Sequence, residues 1–127
     1  MKLITNNNIA TYLQSQGIGT IGTNIFGELP IDKTDSIGIV ASPSPDPNKS
    51  IDTAEQVFDI WGRFSKGSVG KAKMQEIFET LHRKQNYTLG DFHVYLSYSS
   101  GTIDDLDRDS NRNHIYKLSI SFIYREN

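Results

Sequence analysis

The alternation of apolar and polar residues from Ile115 to Tyr124 constrains the fold more than any other feature of the sequence. Tyr116, Leu118, Ile120, Phe122 and Tyr124 recur at every second position, with Lys117, Ser119 and Ser121 between them. A period of two places these large side chains on one side of an extended strand. Phe92–Tyr98 repeats the pattern, with Phe92, Val94, Leu96 and Tyr98 expected on one face and His93, Tyr95 and Ser97 on the other. Two such strands call for a sheet with one buried and one polar side.

Residues 68–84 supply a cover for the buried side. Met74, Ile77, Phe78 and Leu81 fall at i, i+3, i+4 and i+7 of a helix for which Ser68 is a suitable N-cap. A shorter helix is expected over residues 6–16, capped by Asn8, with Ile9, Tyr12 and Leu13 on one face and Gly17 ending it. Residues 17–30 are rich in Gly and Thr and read as irregular or short extended structure. Residues 37–41 form an apolar run expected as a buried strand. Residues 54–64 alternate, with Phe58, Ile60 and Phe64 opposite Val57, Asp59, Trp61 and Arg63. Between these two strands, Pro43, Pro45 and Pro47 favour a stiff, extended connection. The order is helix, strand, strand, helix, strand, strand, with no internal repeat. The expected fold is α+β, one domain over residues 1–127. It has a single twisted mixed or antiparallel sheet of about four strands, two helices packed on one face and a long terminal hairpin.

The position of the charge is more informative than its total. The 127 residues carry 13 Lys+Arg and 15 Asp+Glu, a formal charge of −2. Residues 99–113 hold Asp104, Asp105, Asp107 and Asp109 against Arg108 and Arg112, and so account for the whole excess. This balance argues against a protein that binds nucleic acid through broad phosphate neutralisation. The absence of cysteine excludes disulfides, thiolate metal sites and Cys nucleophiles. No apolar run is long enough for a transmembrane helix, and the first residues lack the apolar stretch of a signal peptide.

Candidate chemical motifs each meet a simpler reading. Gly17, Gly19 and Gly22 match the spacing of a dinucleotide fingerprint, but a helix precedes them where a strand is required, so a helix C-cap followed by tight turns is expected. Asp105, Asp107, Asp109, Asn111 and Asn113 resemble the start of a calcium loop, but Ser110 and Tyr116 stand where such a loop needs Gly and Glu. A solvated hairpin tip is the simpler expectation. His82, His93 and His114 have no partner at metal-ligand spacing, and no catalytic residue, metal or cofactor is assigned. Trp61 and Tyr95 on the polar sheet face could stack nucleic-acid bases, but Arg63 and Lys117 are a thin cationic supply, and a protein contact suits the composition better.

Three segments carry a family resemblance. The run YLQSQGIGTIGTNIFGELP from Tyr12 to Pro30 resembles the opening of the tail terminator proteins of long-tailed bacteriophages, also described as minor capsid or tail completion proteins. Ala54–Phe64 followed by the helix at 68–84 is similar to that family's central strand and helix. Arg108-Asp109-Ser110-Asn111-Arg112 leading into His114–Tyr124 resembles its closing hairpin, with Asn113-His114 as a departure from the more usual start of the last strand. The resemblance implies a structural virion protein at the tail–neck junction, made in the host cytoplasm and without enzymatic activity. It implies a homomeric ring, usually hexameric, that caps the tail tube, stops its polymerisation and offers a joining surface to the neck or head-completion protein. Genomic DNA would pass through the lumen without specific binding, and no membrane is involved.

On this reading Trp61, Arg63 and Tyr95 are expected in subunit or lumen contacts. Asp104, Asp105, Asp107, Arg108, Asp109 and Arg112, with the Pro43–Pro47 loop, are expected to touch the tube or neck. A neck or head-completion protein, a small nucleic-acid-binding module and, last, a small enzyme are the alternatives.

Overall fold

A computed structural model describes residues 3–27, 34–41, 53–99, 101–108 and 112–126. The elements run α1 (Asn6–Ser15), β1 (Ile25–Phe26), β2 (Ser36–Ala41), β3 (Ala54–Phe64), α2 (Gly67–Leu81), β4 (Lys84–Leu89), β5 (Phe92–Ser99), β6 (Asp104–Arg108) and β7 (His114–Glu126). The fold is α+β, as expected, but the sheet has seven strands, not about four. Its order is β1-β2-β3-β7-β5-β4, with β6 paired to the other half of β7. Among the described strands β1 and β2 pair in parallel and the other pairs are antiparallel.

β7 is the spine. Its 13 residues pair with β3 along one side, and with β5 and then β6 along the other. Tyr116, Leu118, Ile120, Phe122 and Tyr124 face the core, as their alternation predicts, beside Phe58, Ile60 and Phe64 of β3. Both helices cover this face: Ile9, Ala10 and Leu13 of α1 and Met74, Ile77 and Leu81 of α2 join one buried cluster with it. Gly70 allows α2 to lie close, since a Cβ there would stand 2.6 Å from the Tyr116 ring. α1 touches β1 and β2 near one edge and β4 at the other. A ten-residue helix is about 15 Å long, and six flat strands would span roughly 24 Å, so the sheet curls around its core. The start of the chain is tied to this curl, because the Ile4 N–H donates to the Tyr124 hydroxyl at 3.3 Å and that hydroxyl donates to Gln56.

Several local expectations change. α1 is capped by Thr5, with Asn8 at the third helical position completing a capping box. Gly17 ends it at φ 77°, as its conformational freedom suggests. α2 starts at Gly67, so Ser68 lies inside its first turn and is not its cap. It stops at Leu81, short of the expected Lys84. His82 turns extended, its ring stacks on Phe78 at 4.5 Å, and its Nδ1 accepts the Ser99 N–H at 2.9 Å. That frees Lys84–Leu89 to form β4, with Tyr87 and Leu89 on the core side.

The larger correction concerns β5. A β-bulge separates Val94, which pairs with Tyr124, from Leu96, which pairs with Ile123. Tyr95 is the extra residue, and Asn86 at φ 52° takes up the matching irregularity on β4. One inserted residue inverts the alternation beyond it. Leu96 and Tyr98 therefore stand on the uncovered face and Ser97 is buried on the core side, the reverse of the expectation. Finally, β5 and β7 do pair, but the segment between them is not a simple hairpin tip, since Asp104–Arg108 folds back as β6.

Candidate assembly face

Neither described helix covers the second face of the sheet. The strand registers place Val40, Val57, Trp61, Leu96, Tyr98, Ile115 and Ile123 on it, mixed with Glu55, Asp59, Arg63, His93, Lys117, Ser119 and Arg125. Half-buried apolar side chains interspersed with charged ones match the mixed composition of a protein contact. Its polar groups are already organised. Asp59 accepts the Ser119 hydroxyl at 2.7 Å and meets the Lys117 ammonium at 3.8 Å. The same ammonium lies 5.5 Å from the centre of the Trp61 ring. The Tyr98 hydroxyl donates to Glu55 at 3.0 Å.

Trp61 belongs to a row that crosses five strands. Phe26 of β1 pairs with Gly38 of β2, Gly38 with Trp61 of β3, Trp61 with Lys117 of β7, and Lys117 with Asp104 of β6. All share the uncovered face, because paired residues point the same way. Arg63 lies two residues from Trp61 on the same face and pairs with Ile115. Tyr95 does not join them. It sits in the bulge beside Ile123 and Tyr124, six residues along β7 from Lys117, or about 20 Å at the normal rise of a strand. There it is 37% exposed and its ring meets His93 edge-on at 4.9 Å.

The expected acidic loop is in part a strand. Asp104 pairs with Lys117, Asp105 with Tyr116 and Arg108 with His114. Asp107 lies within β6 by its backbone, and Arg112 precedes β7 at φ 64°. Asp109 and the three prolines, Pro43, Pro45 and Pro47, lie outside the described residues. Asp105 also lines a cleft between α2 and β6 with Lys71 and Tyr116. Two adjoining parts of this cleft measure about 290 and 340 Å³. Burial, and then the Asp105 charge, hold the Tyr116 phenol above its usual range.

The other motifs have structural roles. The glycine run links α1 to β1, and neighbouring side chains take up its backbone donors: the Thr20 N–H donates to Asn24 at 2.7 Å and the Ile21 N–H to Gln14 of α1 at 2.8 Å. Lys73 of α2 clamps it by donating to the Ile18 carbonyl at 3.0 Å. No group of His, Asp or Glu among the described residues is arranged to hold a metal. No helix among them is long and apolar enough to cross a membrane. The sequence reading missed Phe26 and Gly38 because pairing between β1 and β2 is not written in either segment. It misplaced Leu96 and Tyr98 because the bulge leaves no mark in the alternation. No curated protein matches the chain significantly. A family model described as "Bacteriophage tail terminator protein" matches residues 12–126. With nearly its whole length matched, the chain belongs to the bacteriophage tail terminator family.

Proposed function

We propose that the chain is the subunit of a homomeric, hexameric ring that caps the last ring of a tail tube. The ring stops tube polymerisation and offers its other side to the neck or head-completion protein. It works through contacts, not chemistry. The observation that carries this reading is the second sheet face, where Trp61, Leu96, Ile115 and Ile123 lie without a helix over them among the described residues, in a member of this family. Trp61 and Arg63 serve the subunit contact, and Tyr95, far from them, serves a separate contact or the lumen. Asp104, Asp105, Asp107, Arg108, Asp109 and Arg112, with the Pro43–Pro47 segment, meet neighbouring virion proteins. A formal charge of only −2 suits a channel through which DNA slides, because strong phosphate neutralisation would hold it.

Deleting the gene from the phage and imaging the lysate tests the reading. Abnormally long tails and few joined particles are expected. Tails of normal length that fail to join heads would refute termination and favour a neck protein.

A further inference from the structure

A second cross-strand row runs on the core side of the sheet. Ile21 bridges Ile25 of β1, Ile25 pairs with Ile37 of β2, Ile37 with Gly62 of β3, Gly62 with Tyr116 of β7, and Tyr116 with Asp105 of β6. Paired residues point the same way, so both ends of the row face the helix side. One end is a knob. Ile21 is 40% exposed, and hydrogen bonds fix the loop that carries it. Its N–H donates to Gln14, the Gly22 N–H donates to the Ile25 carbonyl at 3.0 Å, and Lys73 donates to the Ile18 carbonyl. Gly22 turns the chain beside it at φ 84°. The other end is a hole. Asp105 lines the cleft between β6 and α2, with Tyr116 and Ile103 below and Lys71, Gln75 and Thr102 at the rim. The rim residues are exposed, so the cleft opens to solvent. Its two parts, of about 290 and 340 Å³, are each roughly ten times the ~30 Å³ share of one water, which leaves room for a branched side chain and the loop tip behind it.

We propose that Ile21 of one copy seats in the α2–β6 cleft of the next copy. This deepens the ring reading and rests on it. The row selects the occupant. A second copy set beside β6 along the same row brings its Ile21 next to Asp105, on the side of the sheet where the cleft lies. Among the described residues the exposed large apolar side chains are Leu3, Ile21, Val69, Tyr95 and Leu106, and of these Ile21 alone ends the row that leads to the cleft. Within its own subunit it stands at the opposite edge of the sheet from β6 and cannot fill that space. Knob and hole are different surfaces at opposite edges, so the contact is head-to-tail, the type that closes rings. The loop is already ordered in the free subunit, so docking it loses little conformational freedom. β6 is irregular between Asp105 and Arg108, which disfavours a continuous ladder with an added strand. Insertion of a side chain needs no ladder.

The chain has no cysteine, so an introduced pair reports without background. Phage carrying Ile21→Cys with Lys71→Cys, at the rim of the cleft, are purified, oxidised and probed for the subunit on a non-reducing gel. Gln75→Cys replaces Lys71→Cys where the first pair gives no particles. A ladder of covalent multimers up to the ring's copy number is expected from the double variant, and none from either single variant. Absence of multimers in particles that contain the subunit and have normal tails would overturn the contact. A ladder ending at the dimer would overturn its head-to-tail sense. Where neither pair gives particles, Ile21→Ser decides. Overlong tails from a subunit that melts at the parent's temperature are expected. Normal tails would overturn the contact, and so would a lowered melting temperature, because Ile21 would then pack within its own chain. The ring reading fails separately, if gene deletion leaves tail length unchanged.

Discussion

Ser97 offers a stringent test of the bulge. It is fully buried on the core face, where its hydroxyl donates to the Leu81 carbonyl at 2.7 Å and accepts the Tyr87 phenol at 2.7 Å. Had the alternation run unbroken, this side chain would face solvent and its removal would cost little. In the bulged register, Ser97→Ala leaves a carbonyl at the end of α2 and a largely buried phenol without partners. Each such group costs about 1–3 kcal/mol, so a loss of about 2–6 kcal/mol is expected. Tyr87→Phe removes only the phenol and leaves Ser97 bonded to Leu81, a loss of about 0.5–1.5 kcal/mol. With both changes only the carbonyl is orphaned, so the single losses should exceed the double loss by about 1.5–4.5 kcal/mol. Urea unfolding followed by circular dichroism on the four proteins measures the cycle, and thermal midpoints should fall by roughly 4 °C per kcal/mol. A Ser97→Ala protein within about 0.5 kcal/mol of the parent, or strict additivity, would refute the reasoning.

Alkaline pH should destabilise the fold. Burial raises the phenols of Tyr87, Tyr116 and Tyr124 above the ordinary value of 10.0, aided at Tyr87 by Tyr12 and at Tyr116 by Asp105. Unfolded tyrosines ionise near 10 while the folded ones stay protonated, so their contribution is complete below that pH and is lost as pH rises through the folded values. Each group adds about 1.4 kcal/mol per pH unit to the slope, and urea midpoints above pH 10 for Tyr87→Phe should decline less steeply than for the parent. On the uncovered face, Trp61→Ala should change stability by about 1 kcal/mol or less while producing overlong tails. Normal tails would remove that face from the assembly contact.

What could be read from the sequence depended on whether the information was local. β7 and β3 have unbroken alternation, and the burial of their large apolar side chains follows it from Phe58 to Phe64 and from Tyr116 to Tyr124, with Ser121 buried as the exception. Gly17 could be placed because a left-handed helix end is a property of one residue. β4 was hidden because the helix end is fixed by long-range bonds, from Ser97 to the Leu81 carbonyl and from Ser99 to His82, that the local sequence does not show. β6 was hidden because its acidic residues resemble a solvated tip until β7 proves long enough to hold two partners on one side. The same limit governs the contact face. Trp61 and Arg63 could be placed together from β3 alone. The separation of Tyr95 from them depends on register across β7, and the burial of Ser97 depends on one inserted residue.

The dependence of the sheet on β7 orders events during synthesis. β3 is complete at Phe64, yet its main partner does not begin until His114. At bacterial elongation rates the ribosome leaves that strand waiting for on the order of several seconds. During that interval Phe58, Ile60 and Phe64 lack the side chains of β7 that complete their packing, and β5 and β6 wait for the same thirteen residues. Closure is therefore a late, nearly simultaneous event. A chain interrupted before residue 114 would lack the spine of its sheet and would be a target for proteolysis.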